Sequence, residues 1–145
     1  MKFLINTLIF IFLFFLFKEI TYYIFEIVEI DQNQSFIGEP KDMLVMQIGV
    51  FVFTIFMVFL FYFLETYFKK SFKNAILRKI IIFVFLLFIQ IVVVSLTFYL
   101  KTQNVTYIYP KTFLITLGIS ALIIVALLLI VIISIPSHKL KNETQ

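Results

Sequence analysis

The stretch Glu65 to Lys79, ETYFKKSFKNAILRK, separates two long apolar runs and carries five of the twelve basic residues in the chain. It contains a single acidic residue, so its net charge is +4. An excess of Lys and Arg in a short loop is typical of the cytoplasmic side of a membrane. We therefore predict that this stretch, called the basic hinge below, is a cytoplasmic loop between two transmembrane helices. Its basic residues are Lys69, Lys70, Lys73, Arg78 and Lys79.

The basic hinge is also a candidate contact for the inner leaflet. Phe68, Phe72 and Ile76 recur every fourth residue, so a continuous helix would align them in one apolar stripe, with the lysines directed elsewhere. Such a helix would hold its rings at the acyl boundary and its cations against anionic lipid, at about 1 kcal/mol for each cation. The alternative is that the cations only fix the topology of the two flanking helices.

The composition places the chain in a membrane. Of its 145 residues, 63% are hydrophobic and 14% charged, against about 45–50% and 25% in soluble domains. The chain has no cysteine, which excludes disulfides, thiolate metal sites and a thiol nucleophile. We expect one integral membrane domain over residues 1–145.

Four apolar runs are each long enough to predict a transmembrane helix. The first is expected to be retained, because the bulky and charged residues that follow Phe17 do not form a signal-peptide cleavage site. Residues 27–30 either extend that helix or form a short strand, and we favour the extension. Pro40 and Pro110 stand where helices begin. The predicted fold is an all-α membrane protein, a bundle of four transmembrane helices that span about residues 3–25, 43–64, 80–100 and 112–135.

Charge and tyrosine positions predict the orientation of this bundle. Residues 26–42 hold five acidic residues against Lys41, a net charge of −4 that is opposite in sign to the basic hinge. We expect this acidic loop outside the cell and both termini in the cytoplasm, including the basic tail around His138. All seven tyrosines fall near a predicted membrane surface, as in aromatic belts. The predicted location is a cytoplasmic-type membrane, such as a bacterial inner membrane.

Gln90 is the first candidate polar contact within the membrane. It is the eleventh residue of the 21 in the third predicted span, where an unpaired amide costs several kcal/mol. We expect a hydrogen bond to another helix or another chain, which is worth about 0.6–2 kcal/mol. The alternative is a contact with a ligand or a transported solute, to which Ser95 and Thr97 would contribute.

Lys18 and Glu19 form the second candidate. On an extended first helix they lie about 7 Å below the outer surface. They are either the outer end of a short span, with Lys18 reaching the headgroups, or a charged contact to a partner subunit. A third and weaker signal is the set of small residues on the fourth helix, including Thr116, Gly118, Ser120 and Ala121, which permits close helix packing.

The sequence favours no enzymatic function. The only histidine is His138, and no cluster of His, Cys or acidic residues has the spacing of a catalytic or metal site. We therefore predict no metal and no cofactor. We also predict no nucleic-acid partner, since the positive net charge arises in the basic hinge. The expected partners are the lipid bilayer, including anionic lipids, and a second membrane protein or further copies of this chain.

We therefore interpret the chain as an accessory or scaffold subunit of a larger membrane complex. One alternative is a small oligomeric channel or transporter subunit, a class that usually lines one face with ionisable or polar side chains. Another is a membrane immunity or defence protein that acts through the acidic exterior loop. The sequence contains no residue pattern that identifies the process or the partner.

Overall fold

The computed structural model describes residues 2–31, 35–36, 39–103 and 107–134. Within these ranges, four helices are long and apolar enough to cross a membrane, which confirms the predicted fold class. Residues 32–34 and 37–38 of the acidic loop and the basic tail around His138 lie outside the described residues. In chain order the elements are α1 (Lys2–Asp31), β1 (Ser35–Phe36), α2 (Pro40–Phe68), α3 (Ala75–Thr102), β2 (Tyr107–Ile108) and α4 (Pro110–Ser134).

The helices run further than the apolar spans that predicted them. The favoured extension of α1 through residues 27–30 is confirmed, because the helix ends at Asp31. α2 begins at Pro40, whose fixed φ suits the first helical position, and the amide of Asp42 donates to the carbonyl of Glu39 at 2.9 Å. Backbone hydrogen bonding continues through charged residues at a membrane surface, whereas hydropathy marks only the part within hydrocarbon.

The basic hinge is not one continuous helix, which is the arrangement that would align its apolar residues in one stripe. α2 ends at Phe68, and the amides of Ser71 and Phe72 both bond to the Phe68 carbonyl at 3.1 Å, which forms a turn. The Asn74 side chain then caps α3 by accepting from the amides of Ile76 and Leu77 at 3.0 and 3.2 Å. An N-cap residue has extended backbone dihedrals, so it interrupts a helix that would otherwise align the apolar residues in one stripe.

The four helices form a ring in the order α1, α2, α4, α3, and α2 also contacts α3 across the middle. One aromatic contact and one hydrogen bond show how α1 and α2 are aligned along the bundle axis. The Phe14 and Phe51 rings meet at 5.3 Å, and the Tyr62 hydroxyl donates to the carbonyl of Asn6 at 3.3 Å. These contacts place the start of α1 beside the end of α2, as required for antiparallel neighbours.

Aromatic packing closes the end of the bundle opposite the basic hinge. The ring of Phe25 on α1 lies 4.5 Å from that of Phe98 on α3 and 4.2 Å from that of Phe113 on α4. All three side chains are buried. Just beyond them, the backbones of β1 and β2 pair in parallel, with Ser35 opposite Tyr107 and Phe36 opposite Ile108. The loops that follow α1 and α3 are thereby joined over the same end of the bundle.

Candidate functional site

Gln90 lies in a hydrogen-bonded contact between α3 and α1. Its amide nitrogen donates to the carbonyl of Phe17 at 3.0 Å and to the hydroxyl of Thr21 at 2.7 Å. The Thr21 hydroxyl donates in turn to the Phe17 carbonyl at 2.8 Å. Both polar side chains are fully buried. The two hydrogens of one amide group therefore join two helices where neither water nor lipid competes for them.

The oxygen of the same amide has no partner among the described residues. The carbonyl of Phe17 can only accept, so the amide nitrogen must face α1 and the Oε1 atom must face away. Thr21 was not identified from the sequence. The signal available for it was its position: it is an uncharged polar residue in the apolar part of the first helix, where a hydroxyl needs a partner.

The other buried hydroxyl groups bond within their own helices. Each donates to the carbonyl four residues earlier at 2.7 or 2.8 Å, as threonine and serine commonly do in membrane helices. Thr97, which the sequence had offered as a possible lining residue beside Gln90, donates to the carbonyl of Val93. The residues concerned are Thr54, Thr97, Thr102, Thr116 and Ser120.

Lys18 and Glu19 form an ion pair on the lipid-facing side of α1. The Nζ atom of Lys18 lies 3.5 Å from the Glu19 carboxylate. It also lies 5.7 Å from the centre of the Phe15 ring and 5.9 Å from that of Tyr22, within the range of cation–π attraction. The ammonium group is thus surrounded by one carboxylate and two aromatic faces.

Gln47 on α2 lies beside this ion pair. Lys18, Tyr22 and Gln47 supply the polar part of the lining of a cleft of about 560 Å³ between α1 and α2. Sequence reasoning had noted Gln47 only as a departure from apolar character. Gln47 lies close to Lys18 because α1 and α2 pack as antiparallel neighbours, and the local sequence pattern does not specify which helices pack together.

The five cations of the basic hinge do not share one environment. Lys69, Lys70 and Lys73 are exposed, as a contact with anionic lipid requires. Lys79 is half-buried, with its Nζ atom 4.0 Å from a carboxylate oxygen of Glu65. Arg78 differs from all four lysines, because only 6% of its side chain is exposed.

Arg78 joins the end of α2 to the start of α3. Its guanidinium group donates to Glu65 Oε1 at 3.1 Å and to the carbonyl of Phe72 at 2.9 Å, while its buried Nε atom has no partner among the residues that the structure describes. Arg78 was predicted to contact inner-leaflet lipid together with the four lysines, but its guanidinium group is buried within the protein. The planar fork of arginine suits two separate oxygen acceptors, and here both belong to the chain itself.

The small residues of α4 separate into two groups. Thr116 and Ser120 face the interior and are fully buried. Gly118 and Ala121 instead line an apolar groove of about 440 Å³ between α4 and α2. A Cβ atom added to Gly118 would have no neighbour within 4 Å, so this glycine faces open space in the groove.

In the ranges that the structure describes, no group of three or more His, Cys, Asp and Glu side chains is arranged to hold a metal ion. The candidate sites are thus the amide contact of Gln90, the cleft of Lys18 and Gln47, and the exposed cations of the basic hinge. Comparisons of the chain with protein families, with characterised proteins and with solved structures give no match.

Proposed function

We propose that this multi-pass membrane protein is a non-enzymatic accessory or scaffold subunit of a larger membrane complex. Both termini and the basic hinge face the cytoplasm, and the acidic loop faces the exterior. The chain presents little surface outside its helices, so a partner binds it within the bilayer or at the acidic loop. The membrane is of the cytoplasmic type, and the partner is another membrane protein or a further copy of the chain.

The observation that carries this proposal is the bonding of Gln90. A side chain that lines a water-filled path has to remain available to water or solute. The amide nitrogen of Gln90 instead donates both of its hydrogens to acceptors on α1, and the side chain is fully buried. This arrangement favours a structural role for Gln90, and it favours a scaffold over a channel or transporter subunit.

Removing this amide provides the test. Gln90→Leu should lower the free energy of unfolding in mixed detergent micelles by about 1 kcal/mol, since interhelical hydrogen bonds in membranes have that magnitude. The Phe17 carbonyl and the Thr21 hydroxyl remain bonded to each other, so the loss stays modest. The matched control is Thr97→Val, which removes a buried hydroxyl bonded only to its own helix and should have a smaller effect.

The same proteins distinguish a scaffold from a channel. Wild type reconstituted into vesicles should pass ions no faster than protein-free vesicles do. Wild type extracted from its own membrane in mild detergent should migrate with a second membrane protein, or with further copies of itself, in a fixed ratio. A wild type that conducts, with conduction abolished by Gln90→Leu and assembly unchanged, would contradict the scaffold proposal.

A further inference from the structure

The cleft between α1 and α2 combines one polar end with apolar walls. Its polar groups are the ammonium of Lys18, the hydroxyl of Tyr22 and the amide of Gln47, and its remaining lining consists of Phe14, Val50 and Phe51. With a volume of about 560 Å³, it is large enough for a chemical group of several atoms. It opens toward the lipid, since Gln47 and Phe51 are exposed and Lys18 is partly so.

The polar end of the cleft lies near one membrane surface. Gln47 is seven residues from the start of α2 at Pro40, which corresponds to about 10 Å along the helix axis. Because the Phe14 and Phe51 rings meet, Lys18, one turn further along α1, lies at the height of Gln47, one turn earlier on α2. Lys18 can therefore reach the headgroup region, while the two phenylalanine rings lie deeper.

The amide of Gln47 is exposed and makes no hydrogen bond to the described part of the chain, so it is available to a ligand. Lys18 already has Glu19 at 3.5 Å, so the pair carries no net charge. A ligand that accepts hydrogen bonds from Lys18 and Gln47 brings a second anionic group beside Lys18, and a cationic group on the same ligand can pair with the exposed carboxylate of Glu19.

We propose that the cleft binds the headgroup of a phospholipid that carries both a phosphate and a primary ammonium group. The phosphate accepts hydrogen bonds from Lys18 and Gln47, and the ammonium group pairs with Glu19. One acyl chain then lies against Phe14 and Phe51. This goes beyond the proposed scaffold role, because it assigns a lipid site to a face of the protein remote from the basic hinge.

The order of polarity along the cleft favours a lipid over a partner helix. Polar groups lie at its outer end and aromatic walls lie deeper, which is the order of headgroup and acyl chain in one leaflet. An anionic lipid fits less well, because it brings a second negative charge close to the Glu19 carboxylate without a cationic group to offset it.

The proposal is tested by native mass spectrometry of the purified full chain after exchange into nanodiscs. These contain phosphatidylethanolamine, phosphatidylcholine or phosphatidylglycerol with identical acyl chains. Wild type should retain phosphatidylethanolamine most strongly. Lys18→Met and Gln47→Leu should each lower its retention about tenfold, or about 1.4 kcal/mol, because each removes a hydrogen bond to the charged phosphate. Lys111→Gln, which removes an exposed cation on α4, should leave that retention unchanged.

Glu19→Gln tests the part played by the ammonium group. This exposed substitution keeps the shape of the side chain and should shift the preference from phosphatidylethanolamine to phosphatidylglycerol, since Lys18 then has no carboxylate beside it. Equal retention of phosphatidylethanolamine by wild type, Lys18→Met and Gln47→Leu would overturn the proposal. So would a wild-type preference for phosphatidylglycerol, or a Gln47→Leu variant that changes only the number of copies in the assembly.

Discussion

Replacing Arg78 with methionine is expected to lower the free energy of unfolding by about 2–4 kcal/mol. The guanidinium group bonds to Glu65 on α2 and to the carbonyl of Phe72 in the turn, so one side chain fixes both sides of the α2–α3 connection. Its loss leaves a partly buried carboxylate without its main partner. The expected cost is at the lower end of the range for a buried pair, because 21% of the Glu65 side chain is exposed.

The matched control for this prediction is Lys79→Met. Lys79 approaches the same carboxylate oxygen at 4.0 Å instead of 3.1 Å, and it makes no bond to the turn. Removing the same charge from Lys79 should therefore cost less than about 1 kcal/mol. Unfolding of the purified variants in increasing amounts of a denaturing detergent measures both. Equal effects of the two substitutions would show that charge alone, and not the geometry of Arg78, stabilises the connection.

A second substitution, at Glu65, shows how much of the loss comes from leaving the Glu65 carboxylate partly buried without Arg78. Adding Glu65→Met to Arg78→Met removes the carboxylate that was left without its partner, so the double variant should recover more than half of the lost free energy of unfolding. The bond to the Phe72 carbonyl stays absent in both variants, and this part of the loss should persist. A double variant that is less stable than Arg78→Met would contradict this account.

Gly49→Leu should destabilise the bundle by about 1–3 kcal/mol, the usual cost of overpacking. A Cβ atom at this position collides with the Cδ2 atom of Leu114 and lies 3.6 Å from Leu117 and 3.8 Å from Phe113. Leu114 is exposed and can rotate toward lipid, so Gly49→Ala should be tolerated. Leu117 and Phe113 are buried, and a leucine at residue 49 has to displace them as well.

Gly118 provides the control for Gly49. It lies on α4 across the same groove, but a Cβ atom there meets nothing within 4 Å. Gly118→Leu should thus leave thermal stability unchanged or raise it slightly, since leucine has the higher helix propensity. Adding Leu114→Ala to Gly49→Leu should recover part of the loss. Equal destabilisation by Gly49→Leu and Gly118→Leu would contradict the packing of α2 against α4 described above.

The helices were predictable because hydropathy and length alone identify spanning segments. The continuation of α1 through residues 27–30 was favoured over a short strand, although a run of four residues is too short for periodicity to decide. The loop between the second and third helices was predicted, but the helix start at Asn74 was not located, although an Asn before a helical run is a known start signal. The four-residue recurrence of Phe68, Phe72 and Ile76 did not decide between one helix and two, because that spacing is equally possible across a turn and the first turn of a new helix.

The contacts between helices were beyond prediction from the chain. Gln90 was identified because a polar side chain in hydrocarbon is costly, but its partner Thr21 lies 69 residues away in sequence. Arg78 was grouped with the exposed lysines because charge counting does not distinguish a buried cation from an exposed one. In both cases the missing information was which helix faces which, and apolar sequences that are hydrophobic on all sides do not specify it.

The central claim is that the chain crosses a membrane four times with the basic hinge in the cytoplasm. Fusions of an enzyme that is active only in the cytoplasm, joined after residues 34, 72, 104 and 145, test this claim directly. The account predicts activity after residue 72 and at the C-terminus, and none after residues 34 and 104, because the basic hinge with its net charge of +4 stays inside. Activity after residue 34 would contradict the orientation and the proposals that depend on it.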